Sequence, residues 1–350
     1  MSKRIGFIGC GKIAQIRHIP EFAASTRAEI AGYYNPTRTR AEQMAGKYGG
    51  KVYDSVEEML SDPTVDAVVI SLANSAHASV SIAALEAGKD VLCEKPMATT
   101  IGECEDMIKA AEKSGRLLLI AQNQRLAPAH MKAKELIDGG VIGKVLSFRT
   151  AFGHSGPENW SIRPGNDTWF FRKDVAAMGV MADLGIHKTD LIQFLLGCNV
   201  VGVNAVLSTL DKKGPDGKPI GVDDNAVCIF RMENGAVGTM TASWTYYGRE
   251  DNSTVIYGSE GMIRIYDSTS SPLQLIRKDG TVVDIDTEAI QTNDNQTFSG
   301  VADAFLDALY SGEGGILSAE RVIPAMRAVF AAIESSSSGK WVDIPENGRQ

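Results

Sequence analysis

Apolar residues follow one rhythm up to about residue 123 and another beyond it. In the first stretch, mostly apolar segments at 5–8, 28–34, 65–72, 90–93 and 117–121 read as strands of a buried parallel sheet. Between them, apolar residues recur at helical spacing. Ala14, Ile16, Ile19 and Phe22 give one helix an apolar side; further helices begin near Thr37 and span 77–87 and 101–114, the last two closed by Gly88 and Gly115. Strand and helix in alternation predict an α/β dinucleotide-binding domain over residues 1–123.

Residues 124–350 read as a second, α+β domain. A helix at 124–140 leads to a strand at 145–152 and a long loop at 153–172. A helix at 183–196 follows. Beyond Gly197, strands are expected at 200–209, 226–232, 236–246, 253–257, 262–266, 273–277 and 282–285. Asn234-Gly235 and Asp279-Gly280 are hairpin turns, so the sheet should be open and mostly antiparallel. Late helices at 297–310 and 319–335 and a short flexible turn at 335–339 complete the reading. Helices should cover one sheet face. The other carries Val, Ile, Met and aromatic residues, and an uncovered apolar face predicts a homodimer or homotetramer.

Composition narrows the partners. The 350 residues carry a net charge of −8, and the isoelectric point lies near 5.3, which opposes a nucleic-acid or anionic-membrane surface. The five cysteines are scattered without CxxC or Cys/His clustering, so neither a disulfide framework nor a metal site is indicated, and a reducing cytoplasm fits. The apolar start at 5–8 is short and runs straight into glycines, unlike a signal peptide. No apolar run approaches the ~18 residues of a membrane span. A small molecule is the expected partner.

The candidate chemistry begins at Gly9-Cys10-Gly11-Lys12-Ile13-Ala14, a GxGxxA turn between strand and helix. Gly9 permits the turn, Gly11 lets a pyrophosphate approach, and the helix start, with Lys12 and Ile13, faces the phosphates. The second strand ends in Asn35 where an acid usually holds the adenosine ribose. An amide does not repel a 2'-phosphate, and Arg38 and Arg40 follow; this tilts the reading toward NADP, with NAD open. Asn74 and His77 lie at the next strand end, Glu94-Lys95-Pro96 at the one after, on the sheet edge where open α/β folds bind ligands. Helix-start packing is the plainer role for His77.

GxGxxA, the Asn74–His77 strand end and Glu94-Lys95-Pro96 together resemble the Gfo/Idh/MocA family of nucleotide-dependent oxidoreductases, named for glucose–fructose oxidoreductase and inositol dehydrogenase. A third family signature is matched by Gly179-Val180-Met181-Ala182-Asp183-Leu184-Gly185-Ile186-His187, with Ala177 and Met178 standing where glycines are usual. The resemblance covers nearly the whole chain. It implies that Lys95 lies beside the nicotinamide, that the Lys95–Pro96 bond is cis, and that His187 accepts the substrate proton; Glu94, at the same strand end, is expected among the cofactor contacts. Helical spacing independently puts Asp183 and His187 on neighbouring faces, so that one can orient the other. Oxidising a secondary alcohol needs a base for the hydroxyl proton, which suits an imidazole, and a cation for the developing alkoxide, which suits Lys95.

Substrate contacts are expected from Lys95, Asp183 and His187, from Arg125, and from His154 and Trp169 in the long loop, where aromatic rings beside polar groups suit a sugar. The favoured function is hydride transfer between NAD(P) and a secondary alcohol or ketone of a sugar, cyclitol or sugar derivative. Two other readings stay open: a glycosidase that works by transient oxidation and elimination on bound NAD, and a sugar sensor that has kept the cofactor fold.

Overall fold

A computed structural model describes residues 2–288 and 298–345. Two compact units emerge, one of Met1–Asn123 with Asn293–Ile323, the other of Gln124–Thr292 with Pro324–Gln350. In the first, β1 (Lys3–Ile8), β2 (Ala28–Tyr34), β3 (Lys51–Val52), β4 (Ala67–Ile70), β5 (Asp90–Cys93) and β6 (Leu118–Ile120) form a sheet in the order β3-β2-β1-β4-β5-β6. Every pairing is parallel. All four β4 residues are buried, as a strand covered on both faces requires. Strand order reverses between β1 and β4, and the carboxyl ends of those strands flank the crevice where such sheets bind ligands.

The flanking helices are α1 (Ile19–Ala24), α2 (Arg38–Tyr48), α3 (Val56–Ser61), α4 (His77–Glu86) and α5 (Ile101–Ser114). A capping box of Thr100 and Glu103 starts α5, and left-handed Gly115 stops it. Before α1 the helix widens into a π turn over Ala14–His18. Pro20, inside the helix, cannot donate the next hydrogen bond, and a widened turn absorbs that loss.

The second unit holds α6 (Pro128–Asp138), α7 (Lys173–Ala176), α8 (Ile186–Leu196) and strands β7 (Val145–Gly153), β8 (Val200–Ser208), β9 (Asn225–Met232), β10 (Val237–Ser243), β11 (Thr254–Gly258), β12 (Gly261–Ile265), β13 (Leu273–Arg277), β14 (Val282–Ile285) and β15 (Val342–Asp343). Their order is β14-β13-β12-β11-β7-β10-β9-β8-β15, and only the β7–β10 pairing is parallel. Along β9, buried Ala226, Cys228, Phe230 and Met232 alternate with outward Val227 and Ile229. Leu146, Val206 and Val237 are likewise exposed. The open face carries these aliphatic residues, and the row of the sheet that holds Val237 continues through Ser147 to half-buried Tyr257 and Met262, while Phe230, Met232 and Met240 lie buried.

Two late segments differ from the expectation. Cutting at 123/124 puts everything later in the second domain, yet α9 (Val301–Ser311) packs within the first unit. Glu21 explains this: its carboxylate accepts bonds from the Ser299 amide at 2.6 Å and hydroxyl at 2.9 Å. Phe22 meets Phe305 edge-on at 6.3 Å, and Arg27 pairs with Asp303 and Asp307. The expected helix start at 297 lies outside the described residues. The serine run read as a turn is instead the end of α10 (Ala319–Ser338), a helix grouped with the second unit from Pro324 onward. Serine disfavours helix interiors by competing for the backbone, but here the Ser335 and Ser336 hydroxyls accept from the Ala205 and Leu207 amides of β8.

Candidate active site

In the first unit the glycine turn is built for close approach. Gly9 has φ +99°, and a Cβ there would stand 2.4 Å from the Ser71 carbonyl. A Cβ on Gly11 would meet only that carbonyl, at 3.7 Å, which leaves room for a phosphate over the helix start where Lys12 and Ile13 are half-buried. These features fit a dinucleotide. Asn35 serves the turn itself: its Oδ1 accepts from the Cys10 amide at 2.9 Å and its Nδ2 donates to the Thr37 carbonyl at 3.0 Å. Arg38 pairs with Glu42 and Asp54 on the surface. Arg40 is half-buried.

At the end of β5, Lys95 is half-buried and the Lys95–Pro96 peptide is cis. Its neighbour Glu94 is buried. One carboxylate oxygen lies 2.7 Å from His18 Nε2, and the other accepts from the Lys95 amide at 2.9 Å. Burial alone would raise the Glu94 pKa, but the His18 hydrogen bond and the charges of His18, Lys95 and Arg17 bring it down to about 2. Asn74 is buried in the short turn after β4. His77 is buried too, with Nδ1 2.7 Å from the Pro96 carbonyl and Nε2 3.1 Å from that of Leu72, so it ties the β4 loop to the segment carrying Lys95. Burial holds its pKa below the usual histidine value, against those two bonds.

In the second unit Asp183 sits in a π turn, Met181–Gly185, that runs into α8, and His187 lies in the first turn of α8. Asp223 anchors the start: its carboxylate accepts from the Gly179 amide at 3.0 Å and the Met181 amide at 2.8 Å. Gly179 is obligatory here, because a Cβ would fall 2.0 Å from the Asp223 carbonyl. Asp183 Oδ2 accepts from Trp244 Nε1 at 3.0 Å. The Phe152 ring meets two imidazoles, that of His187 at 5.8 Å and that of His154 at 6.0 Å. His154 Nδ1 accepts from the Gly156 amide at 3.0 Å. Trp169 stacks on Phe170 at 3.9 Å.

Arg125 has a partner within the second unit. It is buried and forks onto Asp190 with bonds of 2.7 and 2.6 Å. This is an internal ion pair with bidentate geometry. Next to His187, Lys188 is fully buried, its Nζ donating to the Asn252 carbonyl at 2.9 Å. Burial pulls its pKa down to about 7 despite Asp251 and Glu250. His130 falls to about 3, by burial first and then by the charge of Lys188. Sequence reasoning missed His18, Asp223 and Trp244. A histidine four residues past GxGxxA and the Asp223-Asp224 pair were visible without a pattern to give them meaning; Trp244 gave no signal.

A glycine turn opening a helix beside the switch point of a parallel sheet, with a lysine at a neighbouring strand end, defines a nucleotide-binding enzyme of the α/β class. Residues 3–122 match the model of an oxidoreductase family with an NAD-binding Rossmann fold, and residues 130–264 that of the GFO/IDH/MocA C-terminal domain. The chain is 30% identical to levoglucosan dehydrogenase of Pseudarthrobacter phenanthrenivorans over 82% of each chain, and 26% identical to the scyllo-inositol 2-dehydrogenase (NAD(+)) of Bacillus subtilis over 97% of this chain and 96% of that one. A solved levoglucosan dehydrogenase in complex with NADH and levoglucosan superposes with a TM-score of 0.85 at 27% identity, covering 99% of this chain and 100% of that one. The chain belongs to the Gfo/Idh/MocA family and is an NAD-binding oxidoreductase. No described helix is long and apolar enough to cross a membrane.

Proposed function

We propose that the protein moves hydride between NAD and a ring carbon bearing a secondary hydroxyl, in a sugar, anhydrosugar or cyclitol. Bound nicotinamide supplies the hydride acceptor or donor. In this reading His187 takes the hydroxyl proton, or returns it in reduction, and Asp183 orients the reacting group. The Lys95 ammonium stabilises negative charge on the oxygen. The observation that supports the substrate class is the Phe152 ring with the His187 imidazole at 5.8 Å and the His154 imidazole at 6.0 Å, together with Asp183 in the turn that leads into α8. Such groups offer an aromatic face to C–H groups and polar atoms to hydroxyls. Trp169 extends the same aromatic provision along the loop. Arg125, committed to Asp190, is left out of the contacts.

For the cofactor, Arg38 argued for a 2'-phosphate, but Glu42 and Asp54 already engage it and would repel one. Exposed pairs are weak, so the preference for NAD over NADP should be modest, about tenfold in kcat/KM. The exposed Val206, Val227, Ile229 and Val237 support self-association through the open sheet face, readable by light scattering as a mass above that of one chain.

The test is to follow reduced-nicotinamide absorbance with NAD or NADP and levoglucosan, myo-inositol, scyllo-inositol and D-glucose. Turnover of at least one is expected. Lys95→Ala and His187→Ala should each lower kcat by roughly 10²–10⁴, with NAD still bound by the His187 variant. Inactivity toward every polyol with both cofactors, or full activity in either variant, would defeat the reading.

A further inference from the structure

The geometry points to Trp244 as the positioning residue for Asp183, an inference that rests on the reading of Asp183 as part of the reacting centre. Trp244 follows β10 and is fully buried, the largest such side chain among the described residues. Its amide donates to the Asp224 carbonyl at 2.9 Å, which fixes its backbone. Its one polar group, the indole N–H, is spent on Asp183 Oδ2 at 3.0 Å. A buried donor that has found a carboxylate is a strong, directional restraint. Asp183 lies in a π turn, where the backbone is wider than in the α8 that follows, so a side-chain restraint from a neighbouring strand fixes what the helix alone holds loosely.

The same indole also seats the long loop. Phe171 meets it at 5.9 Å and Phe170 edge-on at 6.4 Å. Phe170 in turn carries Trp169, stacked at 3.9 Å, and the edge of Trp160 at 6.4 Å. Lys212, whose amide is held by Asp224, reaches the Ser155 carbonyl at 2.7 Å and pairs with Glu158, pinning the loop's other end. One side chain therefore sets both the loop that offers aromatic surface to the substrate and the orientation of the carboxylate. Residues that share one network give non-additive effects on mutation, and this separates positioning from bulk packing.

The experiment measures kcat and KM for levoglucosan, myo-inositol and D-glucose with NAD in Trp244→Phe, Asp183→Asn and the double variant, with NAD affinity measured alongside. Because Trp244→Phe leaves a gap, a chain carrying benzothienylalanine at 244, which has the indole shape without its N–H, is the second variant. Expected is a roughly 10–100-fold loss of kcat in each Trp244 variant, of the size seen when an orienting hydrogen bond is removed. In the benzothienyl variant, which keeps the loop's seat, KM and NAD affinity should stay within about twofold, and adding that replacement to Asp183→Asn should change kcat by less than about twofold. Wild-type kcat in the benzothienyl variant, or losses that multiply when it is combined with Asp183→Asn, would overturn the inference while leaving the site reading standing. Wild-type kcat in Asp183→Asn would overturn the site reading, and the inference with it.

Discussion

The surroundings of Lys95 and of His187 handle buried charge in opposite ways. In the first unit the buried carboxylates have answering groups: Glu94 takes His18 on one oxygen and the Lys95 amide on the other, and Glu21 takes Ser299. Around His187 the Arg125–Asp190 pair is matched, but two further buried cation-capable groups are answered by backbone. Lys188 rests on the Asn252 carbonyl, and His130 Nδ1 on that of Gln124 at 2.7 Å. Burial consequently depresses Lys188 to about 7 and His130 to about 3. The first neighbourhood is closed around its carboxylates, although burial still lowers the pKa of Arg17 and of His77. The second is held by shape and aromatic contact and carries desolvation strain that depends on pH.

Breaking the closed neighbourhood should cost most. Glu94→Ala leaves His18 buried without its carboxylate partner and Arg17 with Glu21 alone, a defect worth about 3–5 kcal/mol, and urea denaturation should show it at neutral pH. The Glu94 pKa is depressed in the fold, so its contribution is present above about pH 4.5 and is lost as pH falls toward about 2. A variant as stable as wild type at pH 7 would show that the pair is not what closes this neighbourhood.

The second neighbourhood should fail earlier on acidification. His130 is neutral in the fold and has an ordinary value near 6.5 when unfolded, so the unfolded chain binds the extra proton as pH falls below 6.5, and stability falls with it. Between pH 7 and 5 this amounts to about 2 kcal/mol. Lys188 acts in another window: its folded value near 7 lies below the unfolded 10.5, so its penalty is constant in acid and is relieved as pH rises from 7 to 10.5. His77, buried in the first unit, shifts in the same direction as His130 and remains in both proteins compared. His130→Gln should therefore lose about 2 kcal/mol less than wild type between pH 7 and 5; equal losses would remove His130 as the source.

The first unit's strands were readable because a parallel sheet buries both faces, leaving runs such as 67–70 without a polar residue. β3 and α3, two and six residues long, fall below any periodic window. The return of α9 to the first unit could not be read, since it depends on Glu21 meeting Ser299 and Phe22 meeting Phe305 across the sequence. For the site, motif spacing pointed to Lys95, Asp183 and His187, but a motif does not disclose partners. Arg125 reads from the sequence as a substrate contact, and nothing there discloses its partner Asp190, far along the chain. Both π turns, over Ala14–His18 and Met181–Gly185, fall within motif segments and were read as ordinary helix, because a pattern of 3.6 does not register one inserted residue.

The two glycine-type turns extend the contrast at smaller scale. In the first unit Gly9 takes φ +99° without a Cβ to strain, whereas in the second Ala177 takes φ 63° where the family pattern has glycine. A Cβ at left-handed φ costs about 1–2 kcal/mol, and glycine's greater freedom in the unfolded chain returns about 0.4–1 of it. Ala177→Gly should therefore stabilise by about 0.5–1 kcal/mol, a rise of roughly 1–4 °C in Tm. Met178→Gly at the adjoining position should do the reverse, because Met178 is buried and its removal opens a cavity worth about 2 kcal/mol or more. Calorimetry of the two variants ranks strain against packing in this turn. A destabilised Ala177→Gly would mean that the methyl's contacts outweigh its conformational cost, and that the second unit's turn is as well fitted to its residue as Gly9 is to its own.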